Sequence, residues 1–345
     1  MRYLQLSFLM LLLPLFSNCK KGGGNDPGSA AITPTNLIVA AVVATDNSGN
    51  VAFTASANNA ATYDYDFGNG NYQTVPSGVV NYKYPVSGTY TVTVVAKSKG
   101  GQTLSKSVEV VVTISTAVLW SDEFNTDDAP DAAKWGYDLG TGDNGWGNSE
   151  LEYYTSRADN VYISNGTLKI VLKKESYSGS AYTSARLLSR GKFSFKYGKL
   201  EIRAKLTSGG GTWPALWLLG DNFSTAGWPA CGEIDMMEYK GNDVNKIFGT
   251  LHYPGHSGGG GVGSSTVIAN AATEFHRYAL DWSPASIKIM VDDVVFYTFA
   301  NTSSTPFNQN FFVILNLAMG GTFGGAVDPA VSNAVMEIDY VRVTQ

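Results

Sequence analysis

The stretch Trp228–Tyr239, WPACGEIDMMEY, sets three carboxylates, Glu233, Asp235 and Glu238, among apolar residues of strand character, and its reading decides the fold. Alternate residues of a strand share a face, so Glu233 and Asp235 point the same way. Strict alternation would place Met237 beside them and turn Glu238 away. One extra residue, a β-bulge, returns Glu238 to the acidic face, and bulges are common beside active sites. With the bulge absorbed, the two glutamate Cα atoms lie about four strand steps apart, roughly 13 Å. Side chains leaning inward close that gap to the ~5–5.5 Å that a nucleophile and an acid need for double displacement at a glycosidic bond. The alternative is an edge strand with a solvated acidic face. Three acids on one face repel, however, and a surface strand would interleave Lys or Thr. The catalytic reading is the stronger.

Composition sets the frame around this stretch. The chain has 345 residues, enough for two cores, with only 15% charged residues and 38 glycines. That mix suits an all-β extracellular protein rather than long charged helices. A net charge of −5 argues against nucleic acid as a partner. Three histidines, His252, His256 and His276, do not form a metal cluster with the cysteines. Residues 1–19 read as a secretion signal: Arg2, an apolar run Leu4–Phe16 too short to span a bilayer, then Ser17-Asn18-Cys19. Cys19, followed by Lys20-Lys21-Gly22-Gly23-Gly24, resembles a bacterial lipoprotein processing site. A lipid on Cys19 would tie the protein to the membrane of the cell envelope by acyl chains; ordinary secretion with a stray Cys is the competing reading. Cys231 then has no bridging partner and is expected to be a buried small hydrophobe.

Residues 20–35 are rich in Gly, Asn, Pro, Ser and Thr and read as a flexible tether. From 36 to 113 short β-rich runs alternate with turns, which predicts a small β-sandwich. YDYDFGNGN (Tyr63 to Asn71) and the following NYKYPVSGTYTVTVVAKS resemble the polycystic-kidney-disease (PKD) repeat, an immunoglobulin-like module. Asp66 and Asn69 there are expected to fix a turn. A junction at 114–118 leads into a second domain, 118–345. Leu200, Ile202, Ala204 and Leu206 alternate with Glu201, Arg203 and Lys205, one buried and one wet face. Further strands are expected at Thr167–Lys173, Gly191–Lys196, Ile247–His252, Arg277–Asp281, Ser286–Val291, Val294–Phe299, Phe311–Leu317 and Val335–Val343, with a hairpin at Asp292-Asp293. Antiparallel strands with Gly-rich turns imply a sandwich.

The segment 119–345 resembles the laminarinase-like branch of family-16 glycoside hydrolases. WSDEFN, GWGNSELEYYT, GTWPALWLLG, GEIDMMEY, GTLHYPG, LNLAMGG and EIDYVRV carry the resemblance, in the family's order. It implies a β-jelly roll with a long cleft, a retaining endo-β-1,3-glucanase acting on β-glucan, no cofactor for catalysis, and a monomer. By the match Glu233 is the nucleophile, Glu238 the general acid/base and Asp235 the residue that orients the nucleophile. Trp213, Trp217 and Trp228 are candidates for stacking on sugar, with Trp217 equally readable as core. The resemblance makes His252 the active-site histidine near the acid. Asn148, Glu152, Arg186 and Asn316 are candidate contacts to sugar hydroxyls, with a structural role for Glu152 and Arg186 equally open. It also implies a structural calcium ion on the convex side, held by the Glu123 and Gly166 carbonyls and the Asp339 carboxylate. Competing functions are hydrolysis of agar or carrageenan galactans, glucan binding without catalysis, and transglycosylation.

Overall fold

The computed structural model describes residues 32–345; the expected signal, Cys19 and most of the tether lie outside them. The chain divides into two compact units at Ser115/Thr116.

In the first unit a three-stranded sheet (Thr35–Val43, Asn50–Asn58, Val79–Lys83) and a four-stranded sheet (Tyr72–Val75, Thr62–Asp66, Gly88–Lys97, Thr103–Val112) form a sandwich. Alternation decides which side chains close it: Val51, Phe53 and Ala55 point in, as do Tyr63, Tyr65, Val92 and Val94. Two of its tyrosines keep their hydroxyls satisfied while buried. Tyr65 donates to the Gly78 carbonyl at 2.6 Å and Tyr84 to the Phe67 carbonyl at 3.0 Å. Asp66 accepts the Gly68 N–H at 2.9 Å and Asn69 the Asn71 N–H at 3.3 Å, the turn-fixing role expected of them.

The second unit packs two antiparallel-rich sheets face to face. One has ten strands, centred on Asn333–Thr344, which lies between Thr167–Tyr177 and Gly198–Lys205. The other has seven, in the order Val262–Val267, Lys246–His252, Glu233–Tyr239, Thr212–Gly220, Phe311–Met319, Arg186–Leu188 and Gly136–Asp138. Leu200, Ile202 and Ala204 from the first meet Leu216, Leu218, Ile234, Val313, Leu315 and Leu317 from the second in one core. The hairpin at Asp292 and Asp293 forms with φ of 48° and 67°, as a two-residue turn between twisted strands requires.

One expected strand does not form. Gly191–Lys196 is a turn followed by a single bridge, Phe195 to Phe311. Lys192 and Phe193 donate their N–H groups back to the Ser189 carbonyl, so the backbone closes on itself before any ladder can start. Its aromatic residues still pack, Phe193 stacking on Trp120 at 4.8 Å between ring centres.

Candidate active site

The register of the motif strand, Glu233–Tyr239, contains the bulge. Against Thr212–Gly220, Trp217 opposes Asp235 and Leu216 opposes Met237, leaving Met236 over. On its other side Asp235 opposes Thr250 and Glu238 opposes Phe248. Both methionines are fully buried. Consecutive unbranched side chains can enter the same core, and that is what frees the next residue to turn outward. Glu238 therefore stands on the face of Glu233 and Asp235.

Period-two alternation in the neighbouring strands furnishes this face. His252 opposes Glu233, and its Nε2 lies 3.2 Å from Asp235 Oδ2 and 3.8 Å from Glu233 Oε1. Gly261 backs the imidazole: a Cβ there would stand 2.5 Å from His252 Cε1, so any side chain would displace the ring. Trp213 Nε1 donates to Glu238 Oε1 at 3.1 Å. A row runs across the sheet from Glu238 through Ala215, Asn316 and Arg186 to Asp138, each opposite the next. Ala215 leaves the floor low beside the acid.

Asp235 and Glu238 are buried and Glu233 is half-buried beside them, and among the described residues no Lys or Arg forms an ion pair with the three. Burial first, then Asp235, pushes Glu238 up to about 8, while His252, Trp213 and Thr250 pull the other way. Burial pushes Asp235 up to about 8 as well. Glu233 is also held well above the carboxylate range by burial and the Asp235 charge, and is drawn back by His252 and Arg186. Asp235 Oδ2 is buried without a hydrogen-bond partner, since His252 Nε2, though only 3.2 Å away, is not in hydrogen-bonding geometry with it. A protonated Asp235 satisfies that oxygen by donating from it. The cluster can thus hold protons at neutral pH that isolated carboxylates would have lost.

The other expected site residues take several places. Trp228, 46% exposed and with its ring 6.1 Å from that of His252, presents an open face beside the carboxylates. Trp213 is a correction: it is only 8% exposed and is engaged with Glu238 and Phe323, so it holds the acid rather than offering a stacking face. Trp217 is half-buried; its Nε1 donates to Asn316 at 2.8 Å and the Arg186 guanidinium lies 4.9 Å over its ring. Arg186 and Asn316 are buried, and Arg186 pairs with Asp138 at 3.2 Å while stacking on Trp146 at 4.6 Å. Glu152 is a second correction. It is fully buried and accepts the Met319 N–H, so it cannot reach a sugar. Asn148 is half-buried and donates to Glu150.

Thr250, Glu150, Tyr154 and Trp146 belong to the site although sequence reasoning did not single them out. Thr250 precedes His252 by two, and Glu150 precedes Glu152 by two, so period-two alternation was the available signal. Cys231 is fully buried and its thiol is pushed up to about 11 by burial, as suits a small hydrophobe.

The calcium positions fare differently. Asp122 opposes Val341, and Leu168 opposes Ile338, so Glu123, Gly166 and Asp339 lie toward one region of the ten-stranded sheet. Asp339, the one anionic ligand of that set, is taken by the Arg203 guanidinium, and the Glu123 carboxylate by Arg342. An ion there would compete with Arg203 for its charge partner, which fits a calcium cage poorly, and the catalytic chemistry does not involve it.

Comparison with known proteins fits this geometry. A beta-glucanase of Rhodothermus marinus is 45% identical over 242 residues, covering 66% of this chain and 84% of that protein. A glucan endo-1,3-beta-glucosidase of Cryptopygus antarcticus is 38% identical, over 65% of this chain and 90% of that one. The crystal structure of the Rhodothermus marinus laminarinase superposes with a TM-score of 0.64 at 44% identity, covering 67% of this chain and 98% of that one. Residues 36–112 match the PKD domain. Residues 148–342 match the glycosyl hydrolases family 16, and with these relatives the chain belongs to that family.

Proposed function

We propose that this chain is a retaining endo-β-1,3-glucanase, with Glu233 as nucleophile and Glu238 as general acid/base. The observation that carries the reading is the bulge at Met236, which sets Glu238 on the face of Glu233 and Asp235, where no Lys or Arg among the described residues forms an ion pair with them. The relatives described above, glucanases, a glucosidase of 1,3-linked glucan and a laminarinase by name, support β-1,3-glucan as substrate.

In the first step a Glu233 oxygen forms a bond to the anomeric carbon as the glycosidic C–O bond breaks. Glu238 gives its proton to the departing oxygen. Glu233 carries the charge at the outset: it is the more exposed acid, 17% against 7% for Asp235, and His252 and Arg186 both draw its pKa down. Asp235 keeps a proton and orients the nucleophile. Esterification removes the charge on Glu233, so Glu238 ionises more readily and takes a proton from water. That water attacks the anomeric carbon from the side the leaving group vacated as the ester bond to Glu233 breaks and its carboxylate is restored, and the configuration is retained. Trp228 and Trp217 supply aromatic faces to the pyranose rings.

A galactan substrate bearing sulfate would call for free cations, whereas Arg186 is already held by Asp138. The test is a panel of laminarin, mixed-linkage glucan and agarose, with product sizing and NMR of the first-formed anomer. A ladder of β-configured laminarioligosaccharides is expected. Exclusive cleavage of agarose, or an α-anomer as first product, overturns the assignment. A lipid on Cys19, attachment to the bacterial cell envelope and a monomeric state are part of this proposal, the first two resting on the sequence of residues 1–24. Loss of membrane sedimentation in Cys19→Ser tests the anchor.

A further inference from the structure

A second pair of buried acids lies outside the catalytic strand. Glu150 is 9% exposed and Glu152 fully buried. Glu152 Oε2 accepts the Met319 N–H at 2.6 Å, but its Oε1 is buried with no donor. Glu150 accepts Asn148 Nδ2 at 3.2 Å on one oxygen and the Tyr154 hydroxyl at 2.9 Å on the other. From Tyr154 the chain continues: its hydroxyl accepts Asn316 Nδ2 at 3.0 Å, and Asn316 Oδ1 accepts Trp217 Nε1 at 2.8 Å. Arg186, the cation of this region, pairs with Asp138.

The same pair grips the turn after Phe311–Met319. Beyond the Glu152 bond, Leu151 donates to the Met319 carbonyl at 3.0 Å and Glu150 bridges Gly320. Gly321 has φ +70°, and a Cβ on it would stand 2.9 Å from the Asn148 carbonyl and 3.3 Å from Trp213 Cζ3. Phe323 then packs on Trp213, which holds Glu238.

Two carboxylates side by side in a dry site cannot both stay ionised. We propose that Glu150 and Glu152 share one proton, carried on Glu152 Oε1 and donated to Glu150, and that the pair is a positioning device for the glucan-facing Asn148 and Trp217 and for the turn that backs Trp213. The role rests on the glucanase reading; the shared proton does not. Burial and the Glu150 charge hold Glu152 well above the carboxylate range, in keeping with it.

The two positions respond differently to an amide. Gln at 152 keeps a carbonyl for the Met319 N–H and presents an N–H to Glu150, reproducing the protonated acid. Gln at 150 has one acceptor oxygen where Glu150 offers two to Asn148, the Tyr154 hydroxyl and the Glu152 proton, so at least one of the three donors loses its partner. The full chain carrying Glu152→Gln or Glu150→Gln is assayed on whichever polysaccharide of the panel the wild type cleaves fastest, and the thermal midpoint is measured beside it. Glu152→Gln is expected to keep kcat, KM and midpoint near wild type. Glu150→Gln is expected to raise KM about tenfold, equivalent to about 1.4 kcal/mol for the lost hydrogen bond.

A midpoint for Glu152→Gln that falls as far as that of Glu150→Gln overturns the proton's location, whatever the substrate proves to be. A lower midpoint for Glu150→Gln with unchanged KM overturns the positioning role. If Glu150→Gln does not fold, Tyr154→Phe breaks the same chain one bond on, and an unchanged KM there overturns the role equally. Wild-type cleavage of agarose alone would sink the glucanase reading and leave the midpoint comparison standing.

Discussion

The acids on the outward face of the ten-stranded sheet and the three acids of the motif on the seven-stranded sheet are the same residue types treated oppositely. On the ten-stranded sheet every acid of the central rows has a cation: Glu337 sits between Lys169 and Lys205, Asp339 meets Arg203, Glu201 meets Lys199 and Glu123 meets Arg342. Burial would raise Glu337, but Lys205 and Lys169 hold it below the ordinary range, and Lys199 with Tyr340 does the same for Glu201. On the seven-stranded sheet Glu233, Asp235 and Glu238 are more deeply buried, face one histidine, and are all raised. An acid neutralised by Lys or Arg is a fixed charge. An acid denied that partner keeps a proton it can hand over, which is the chemistry a glycosidic bond needs.

Removing the groups themselves should have the largest effect. Glu233→Gln is expected to abolish turnover while laminarioligosaccharide binding, followed by calorimetry, survives; full activity would refute the assignment. Glu238→Gln should cost about 10²–10⁴-fold in kcat on laminarin, the usual worth of a positioned acid.

Importing the ten-stranded sheet's logic into the cleft should come next. Thr250→Lys sets an ammonium opposite Asp235, beside Glu238. The acid's pKa should fall by about 1–3 units, carrying the alkaline limb of the pH–rate profile down from near pH 8 and cutting turnover at neutrality. In the wild type Glu238 is the competent acid below its pKa of about 8, so activity is lost as pH rises through that value. A profile that Thr250→Lys leaves in place would show that missing counter-charge is not what poises the acid.

A smaller change is expected from Trp213→Phe, which deletes the indole donor to Glu238. That bond favours the ionised acid, so the alkaline limb should move up in pH, and kcat should drop about tenfold for a hydrogen bond of this kind. An unmoved limb would make Trp213 simple packing.

The smallest effect should come from the opposite sheet. Glu337→Gln is expected to cost no more than about 1 kcal/mol in urea unfolding, with KM and kcat unchanged. Its sign with pH separates the two faces. Glu337 is lowered in the fold, so its contribution is present at neutrality and is lost as pH falls through its folded pKa. Glu238 is raised, so its contribution is full at low pH and is lost as pH rises toward about 8. Relative to wild type, Glu238→Gln should therefore gain stability between about pH 5 and about pH 8, and Glu337→Gln should gain it as pH falls through the ordinary carboxylate range and on through the lowered folded pKa of Glu337.

Sequence by itself determined the alternations. Leu200, Ile202 and Ala204 had to face inward, Glu233 and Asp235 had to share a side, and a residue had to be spare before Glu238, because a pleated strand repeats every two residues. Only the tertiary structure decided what each polar group meets. Trp213 and Trp228 read alike beside their prolines, yet one holds the acid and the other lies open, and Glu152 proved to be sealed behind Met319. Those outcomes depend on strands far apart in the chain coming into register, so that Thr250, Asn316 and Arg186 converge from three strands upon a motif on a fourth; local periodicity sets a side chain's direction but not its distant partner.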